Sequence, residues 1–95
     1  MNMTTNLVAN LNKVRAASLN KFRCAQVLVF DYFAPESGKG DVEQRPIVRV
    51  EPNSLRRLDD GDWIFKGINL YRVDSNDGGY RTYRVSRING LARKP

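Results

Sequence analysis

After residue 24 the chain never runs far without a turn signal, and the pieces between those signals are β-rich. "AQVLVFDYF" (25–33) is β-branched and aromatic and reads as a buried strand. "RPIVRVEP" (45–52) alternates, with Val48 and Val50 on one face, Ile47, Arg49 and Glu51 on the other, and Pro52 as its stop. "DWIFKGINLYRV" (62–73) reads as a third strand, bent at Gly67, and "YRTYRVSRI" (80–88) as a fourth. Between them lie a loop, "APESGKGDVEQ" (34–44), a hairpin signal at Asp60-Gly61, and a second hairpin turn, "DSNDGG" (74–79). "NGLARKP" is open between a short last strand and a frayed basic tail.

Ahead of the strands, residues 5–22 place Leu7, Val8, Leu11, Val14, Leu19 and Phe22 at steps near three and four, the stripe of an amphipathic helix. Thr4, Thr5 and Asn6 are N-cap candidates. One helix followed by four to five antiparallel strands predicts a mainly β (α+β) fold. The expected form is a single domain over 1–95: a helix at about 5–22, a small β-barrel at about 25–91, and a basic C-terminal tail.

Charge narrows the function. The chain carries a net charge of +6, which points to a polyanion, nucleic acid first. Met1 to Phe30 is basic and free of acids, Asp31 to Asp62 is net acidic, and Trp63 to Pro95 is basic again. Chemistry is sparse by comparison. With no His there is no imidazole base and no common metal site, so no enzyme and no cofactor is expected. Cys24, the one cysteine, reads as a small buried hydrophobe and fits a reducing cytoplasm. Asp59, Asp60 and Asp62 are explained by a hydrated turn, and "SGKG" (37–40) is too short for a phosphate loop. No apolar run reaches the ~20 residues of a membrane span, and no signal peptide is recognised.

The arginines of residues 80–88 raise the main question of function. In a strand, Arg81, Tyr83, Val85 and Arg87 share one face and Arg84 lies on the other. Two readings stand: rim packing by the aliphatic stems, or a fork of donors aimed at phosphates. Tyr71, Tyr80 and Tyr83 interleave with Arg72, Arg81 and Arg84, a pattern suited to single-stranded nucleic acid and also to any amphipathic strand of a basic protein. Trp63 is core or a stacking platform, and the core reading expects Trp63, Phe65, Tyr83 and Val85 to be largely buried together.

Three blocks together resemble the WYL-domain family of bacterial and phage regulators. "VRVEPNSLRRLDDGDWIFKG" is similar to the strand, proline and acidic turn that lead into the family's Trp-Tyr-Leu triplet, here Trp63-Ile64-Phe65. "YRTYRVSRI" resembles the family's Arg-x-Phe-x-Leu-x-Arg-Ile strand through Arg81, Tyr83, Val85, Arg87 and Ile88, and "VLVFDYF" its opening strand. Only Trp63 of the triplet is unchanged, and Ile64 lacks the tyrosine hydroxyl. The resemblance implies an Sm-like barrel behind a helix, without the winged helix-turn-helix that family members usually carry, a stand-alone domain of the kind expected from a small phage gene. It also implies a basic ligand groove walled by Arg81 and Arg87, which Arg49 can join from its outward face; Trp63, and Arg84, which matches no strict family position, complete the candidate binding residues. The expected function is a non-enzymatic module that binds single-stranded nucleic acid or another polyanion to regulate transcription or defence. The alternative is a protein-interaction factor, a phage-encoded regulator or inhibitor of a host complex. Edge strands able to pair between copies admit a homodimer.

Overall fold

The computed structural model describes residues 3–19, 26–33, 42–43 and 46–95. Helix α1 (Met3–Leu19) is followed by strands β1 (Val27–Phe33), β2 (Val42–Glu43), β3 (Ile47–Val50), β4 (Arg56–Arg57), β5 (Trp63–Asn69), β6 (Tyr80–Arg84) and β7 (Ile88–Arg93). A single 3-10 turn, Val85–Arg87, links β6 to β7. All the strand pairings are antiparallel. The mainly β architecture with one N-terminal helix is as the sequence predicts, and no helix among the described residues is long and apolar enough to cross a membrane.

The expected barrel is corrected in two respects. The sheet has seven strands rather than four to five, because β2 and β4 are extra strands of two residues each. It is also open. Its long strands run in the order β7-β1-β3-β5-β6, and among the described residues no ladder joins β6 to β7. Side chains stand along that seam instead. Tyr32 Oη accepts the Arg84 N–H at 2.8 Å on β6, while the Asn10 side-chain amide takes Gly90 O and Ala92 N, each at 2.8 Å, on β7. An amide matches the spacing of a peptide group, so Asn10 acts as a one-residue substitute for a neighbouring strand.

This contact explains a further correction, the face that α1 buries. Val14 is fully buried and Leu11 packs at the margin of the core, as the stripe predicts. Leu7, Val8 and Leu19, however, are exposed, and their places are taken by Asn10, Ala17 and Ser18. Phe22, the stripe's last member, lies outside the described residues. The C-terminal end of the helix is tied to the turn after β3 by the Asn53 N–H on Ser18 O at 3.1 Å. Asn53 adopts the left-handed φ of 60° that Asn tolerates in turns.

The core sits between α1 and the concave side of the sheet. Phe30, Tyr32, Phe65 and Tyr83 form a cluster of mostly edge-to-face rings with centroids 5.1–6.1 Å apart. Leu28, Val48, Val50, Val85, Ile88 and Ala92 close around it. Alternation along β3 is as read from the sequence: Val48 and Val50 are buried and Arg49 is exposed. Gly67 leaves room for the close approach of β3, since a Cβ there would lie 2.8 Å from Arg49 O and 2.4 Å from a Val48 methyl carbon.

Candidate nucleic-acid interface

The ladder registers decide which cations can act together. Arg49 of β3 is opposite Ile68 of β5, and Ile68 is opposite Tyr80 of β6. Lys66 pairs with Thr82, while Ile64 lies between Arg56 of β4 and Arg84 of β6. Residues directly opposite share a face, so Arg49, Arg56, Lys66, Tyr80, Thr82 and Arg84 all project from the convex, outer face. Trp63, Phe65, Gly67, Tyr83 and Arg81 belong to the concave face by the same alternation.

The five candidate residues therefore do not share one groove wall. Arg49 is exposed on the outer face, Arg81 is at the rim of the concave face, and the sequence reading of Arg84 as opposite to Arg81 agrees with the register. Arg87 falls in the 3-10 turn, so the strand alternation that grouped it with Arg81 stops at Arg84. Tyr83 is core, Tyr80 lies on the outer face and Tyr71 is exposed in the turn before β6, which divides the aromatic–arginine interleaving among three environments.

Two of the arginines are held by carboxylates. Arg84 Nη1 lies 3.1 Å from Asp60 Oδ2 and 3.2 Å from Asp62 Oδ2, and Ser86 Oγ donates to the same Asp62 oxygen at 2.6 Å. The acidic hairpin thus fastens the β6 end to the β4–β5 turn. The Asp62 N–H on the Asp60 carboxylate, followed by the Arg84 contact, holds Asp60 below the usual carboxylate range. The contact therefore favours the fold at neutral pH and is lost as the pH falls through that lowered value. Arg81 pairs with Asp77 in the adjacent turn and donates to Tyr80 O at 3.0 Å. By contrast, Arg49, Arg56 and Lys66 have no carboxylate partner within the described residues.

Trp63 is half-buried at the core margin, with the Arg15 guanidinium 5.6 Å from its ring centre. That geometry is a cation–π contact between α1 and β5. Because only part of the ring is buried, Trp63→Ala is expected to cost roughly 1.5–3 kcal/mol, short of a full aromatic deletion. A urea titration measures it. A change below ~0.5 kcal/mol would show that the ring adds nothing to the core.

Lys66 and Tyr80 were not singled out together by the sequence. The period-two pattern Ile64, Lys66, Ile68 places Lys66 on the outer face once β5 is assigned, but its neighbours across β3 and β6 depend on register. A separate cleft of about 330 Å³ opens between α1 and β7, lined by Asn6, Leu7, Val85, Ser86, Ile88, Asn89 and Gly90. It contains none of the candidate residues. No family model, curated protein or solved structure matches the chain.

Proposed function

We propose that this chain is a non-enzymatic regulatory module that binds a polyanion, in the first place single-stranded nucleic acid. The observation that carries this reading is the asymmetry between acids and bases. Asp60, Asp62, Asp77 and Glu51 are engaged with Arg84, Arg81 and Tyr80, whereas Arg49, Arg56 and Lys66 keep their donors for a partner. With Asp60, Asp62 and Asp77 paired internally, a chain of net charge +6 presents a positive field to a phosphate backbone. The helix-first order, and the strand succession β7-β1-β3-β5-β6 around an aromatic core, are compatible with a WYL-like, Sm-like ancestry. The absence of His supports a binding role over catalysis. A single cysteine fits a reducing cytoplasm, including that of a phage-infected bacterium.

A second reading, a protein-interaction factor, is favoured by Tyr71 and Val73, which are 69% and 49% exposed close together on one turn. That turn is braced by the Tyr71 N–H on Asn69 Oδ1 at 3.0 Å and the Gly79 N–H on Asp77 Oδ1 at 3.0 Å. Exposed aromatics on a braced turn are typical interface anchors. A homodimer would use the unladdered edge of β6.

The two readings separate by titrating the protein into a labelled single-stranded oligonucleotide at two salt concentrations. Binding at low salt that weakens as salt rises, by about 0.7 in log–log slope per phosphate contact, is the expected result. No detectable binding at low salt would dismiss the polyanion reading in favour of a protein partner.

A further inference from the structure

The outer face holds an aromatic ring in an unusual way. Tyr80 starts β6, yet its hydroxyl donates to Glu51 Oε2 at 2.6 Å, beyond the end of β3. β5 lies between those strands. With strands ~4.8 Å apart, β6 and β3 are separated by ~10 Å. A tyrosine can bridge that span only by leaning across the intervening strand. The Glu51 N–H bonds Lys66 O at 2.8 Å, so the bridge runs diagonally from the Ile68 row toward the Lys66 row. Tyr80 thereby leans across the outer surface of β5 and remains 41% exposed. The Glu51 contact also raises the pKa of the Tyr80 hydroxyl above its ordinary value.

Cations frame the ring. Arg49 stands in the same cross-strand row as Tyr80, Lys66 in the next, and Arg56 in the third. Thr82, exposed opposite Lys66, adds a hydroxyl. A pinned, half-exposed ring with cations on the neighbouring strand matches the two demands of a single strand: a π-face for a base and donors for the phosphates beside it. Duplex DNA would satisfy the cations but leave the ring unused, because its bases are already stacked.

Resting on the polyanion reading above, we propose that the outer face of β3, β5 and β6 is a single-strand binding platform, on which one base stacks on Tyr80 and the flanking phosphates pair with Arg49 and Lys66. The groove expected at Arg81 and Arg87 is then not the primary contact. Tyr80 is a ligand-binding residue through its ring, and Glu51 is a positioning residue that holds that ring flat.

The test is fluorescence anisotropy with a short labelled oligothymidylate, with inorganic polyphosphate as competitor. Tyr80→Ala is expected to weaken oligothymidylate binding roughly 5- to 150-fold, the loss of one base stack, while the affinity for polyphosphate is unchanged. Tyr80→Phe keeps the π-face but loses the Glu51 tether, so it is expected to bind more tightly than Tyr80→Ala and more weakly than the native chain, which separates stacking from positioning. Binding as weak as that of Tyr80→Ala would assign the loss to the hydroxyl and overturn the stacking role. Arg49→Ala and Lys66→Ala should each weaken both ligands and reduce the salt slope by about 0.7. If the native chain binds and Tyr80→Ala binds equally well, the platform is wrong. Loss of binding in Arg81→Ala/Arg87→Ala instead would leave the polyanion reading standing with its site at the concave rim. If the native chain binds neither ligand at low salt, the platform and the polyanion reading fail together.

Discussion

Phe65→Ala is expected to remove a large share of the stability of this chain. Phe65 is fully buried at the centre of β5, its ring stacked on Tyr83 with centroids 5.5 Å apart and edge-to-face with Phe30 at 6.1 Å. Removing such a ring costs about 3–5 kcal/mol, because neighbouring strands cannot collapse into the space. A domain of this size has only about 5–14 kcal/mol in total. The melting temperature should therefore fall by tens of degrees, at roughly 4–8 °C per kcal/mol. Thermal and urea unfolding followed by circular dichroism measure it, and Phe65→Leu, which leaves a smaller void, should recover much of the loss. A melting temperature within a few degrees of the native chain would mean that the four rings do not form the core.

The second large effect is expected at Asn10, a residue that hydropathy would place on the solvent side of α1. Its amide carbonyl accepts the Ala92 N–H, and its NH₂ donates to Gly90 O. Asn10→Ala removes both partners at once from a site where Asn10 itself is 1% exposed. A buried backbone group left without a partner costs about 1–3 kcal/mol, and because Ala92 is fully buried while Gly90 is exposed, the orphaned Ala92 N–H carries most of that loss. The local readout is amide hydrogen exchange. Ala92 should lose protection in the variant by more than the global destabilisation accounts for, since the edge of β7 becomes open to water. Asn10→Asp should rescue only half of the contact, because a carboxylate can accept from Ala92 but repels Gly90 O. Unchanged protection at Ala92 in Asn10→Ala would show that the helix does not cover this edge.

Both effects bear on the proposed platform. The outer face keeps its geometry only while the concave face is filled, because every outer residue of β5 alternates with a core residue. Lys66 lies between Phe65 and Gly67, and Ile68 between Gly67 and Asn69. A core defect at Phe65 would thus disturb the Lys66 and Tyr80 rows along with stability. For this reason binding by the Tyr80 and Arg49 variants has to be compared at matched folded fraction.

Local order was legible in the sequence. The four long strands before residue 85, the turns at Asp60-Gly61 and 74–79, and the split between Val48 and Arg49 follow from period-two alternation and turn chemistry, which are written in neighbouring residues. Arg84 opposite Arg81 is legible for the same reason. The 3-10 turn at Val85–Arg87 was not, since Val, Ser and Arg also continue a strand without strain. What only the tertiary structure decided are the pairings over distance: Asn10 with β7, Tyr80 across β5 to Glu51, and Arg84 with Asp60 and Asp62. Periodicity scores each residue by its own hydrophobicity. It therefore puts Leu7 and Leu19 inside and Asn10 outside. The fold reverses this, because a polar side chain is stably buried wherever an unladdered strand edge offers it a donor and an acceptor, and that edge is 80 residues away from Asn10 in the chain.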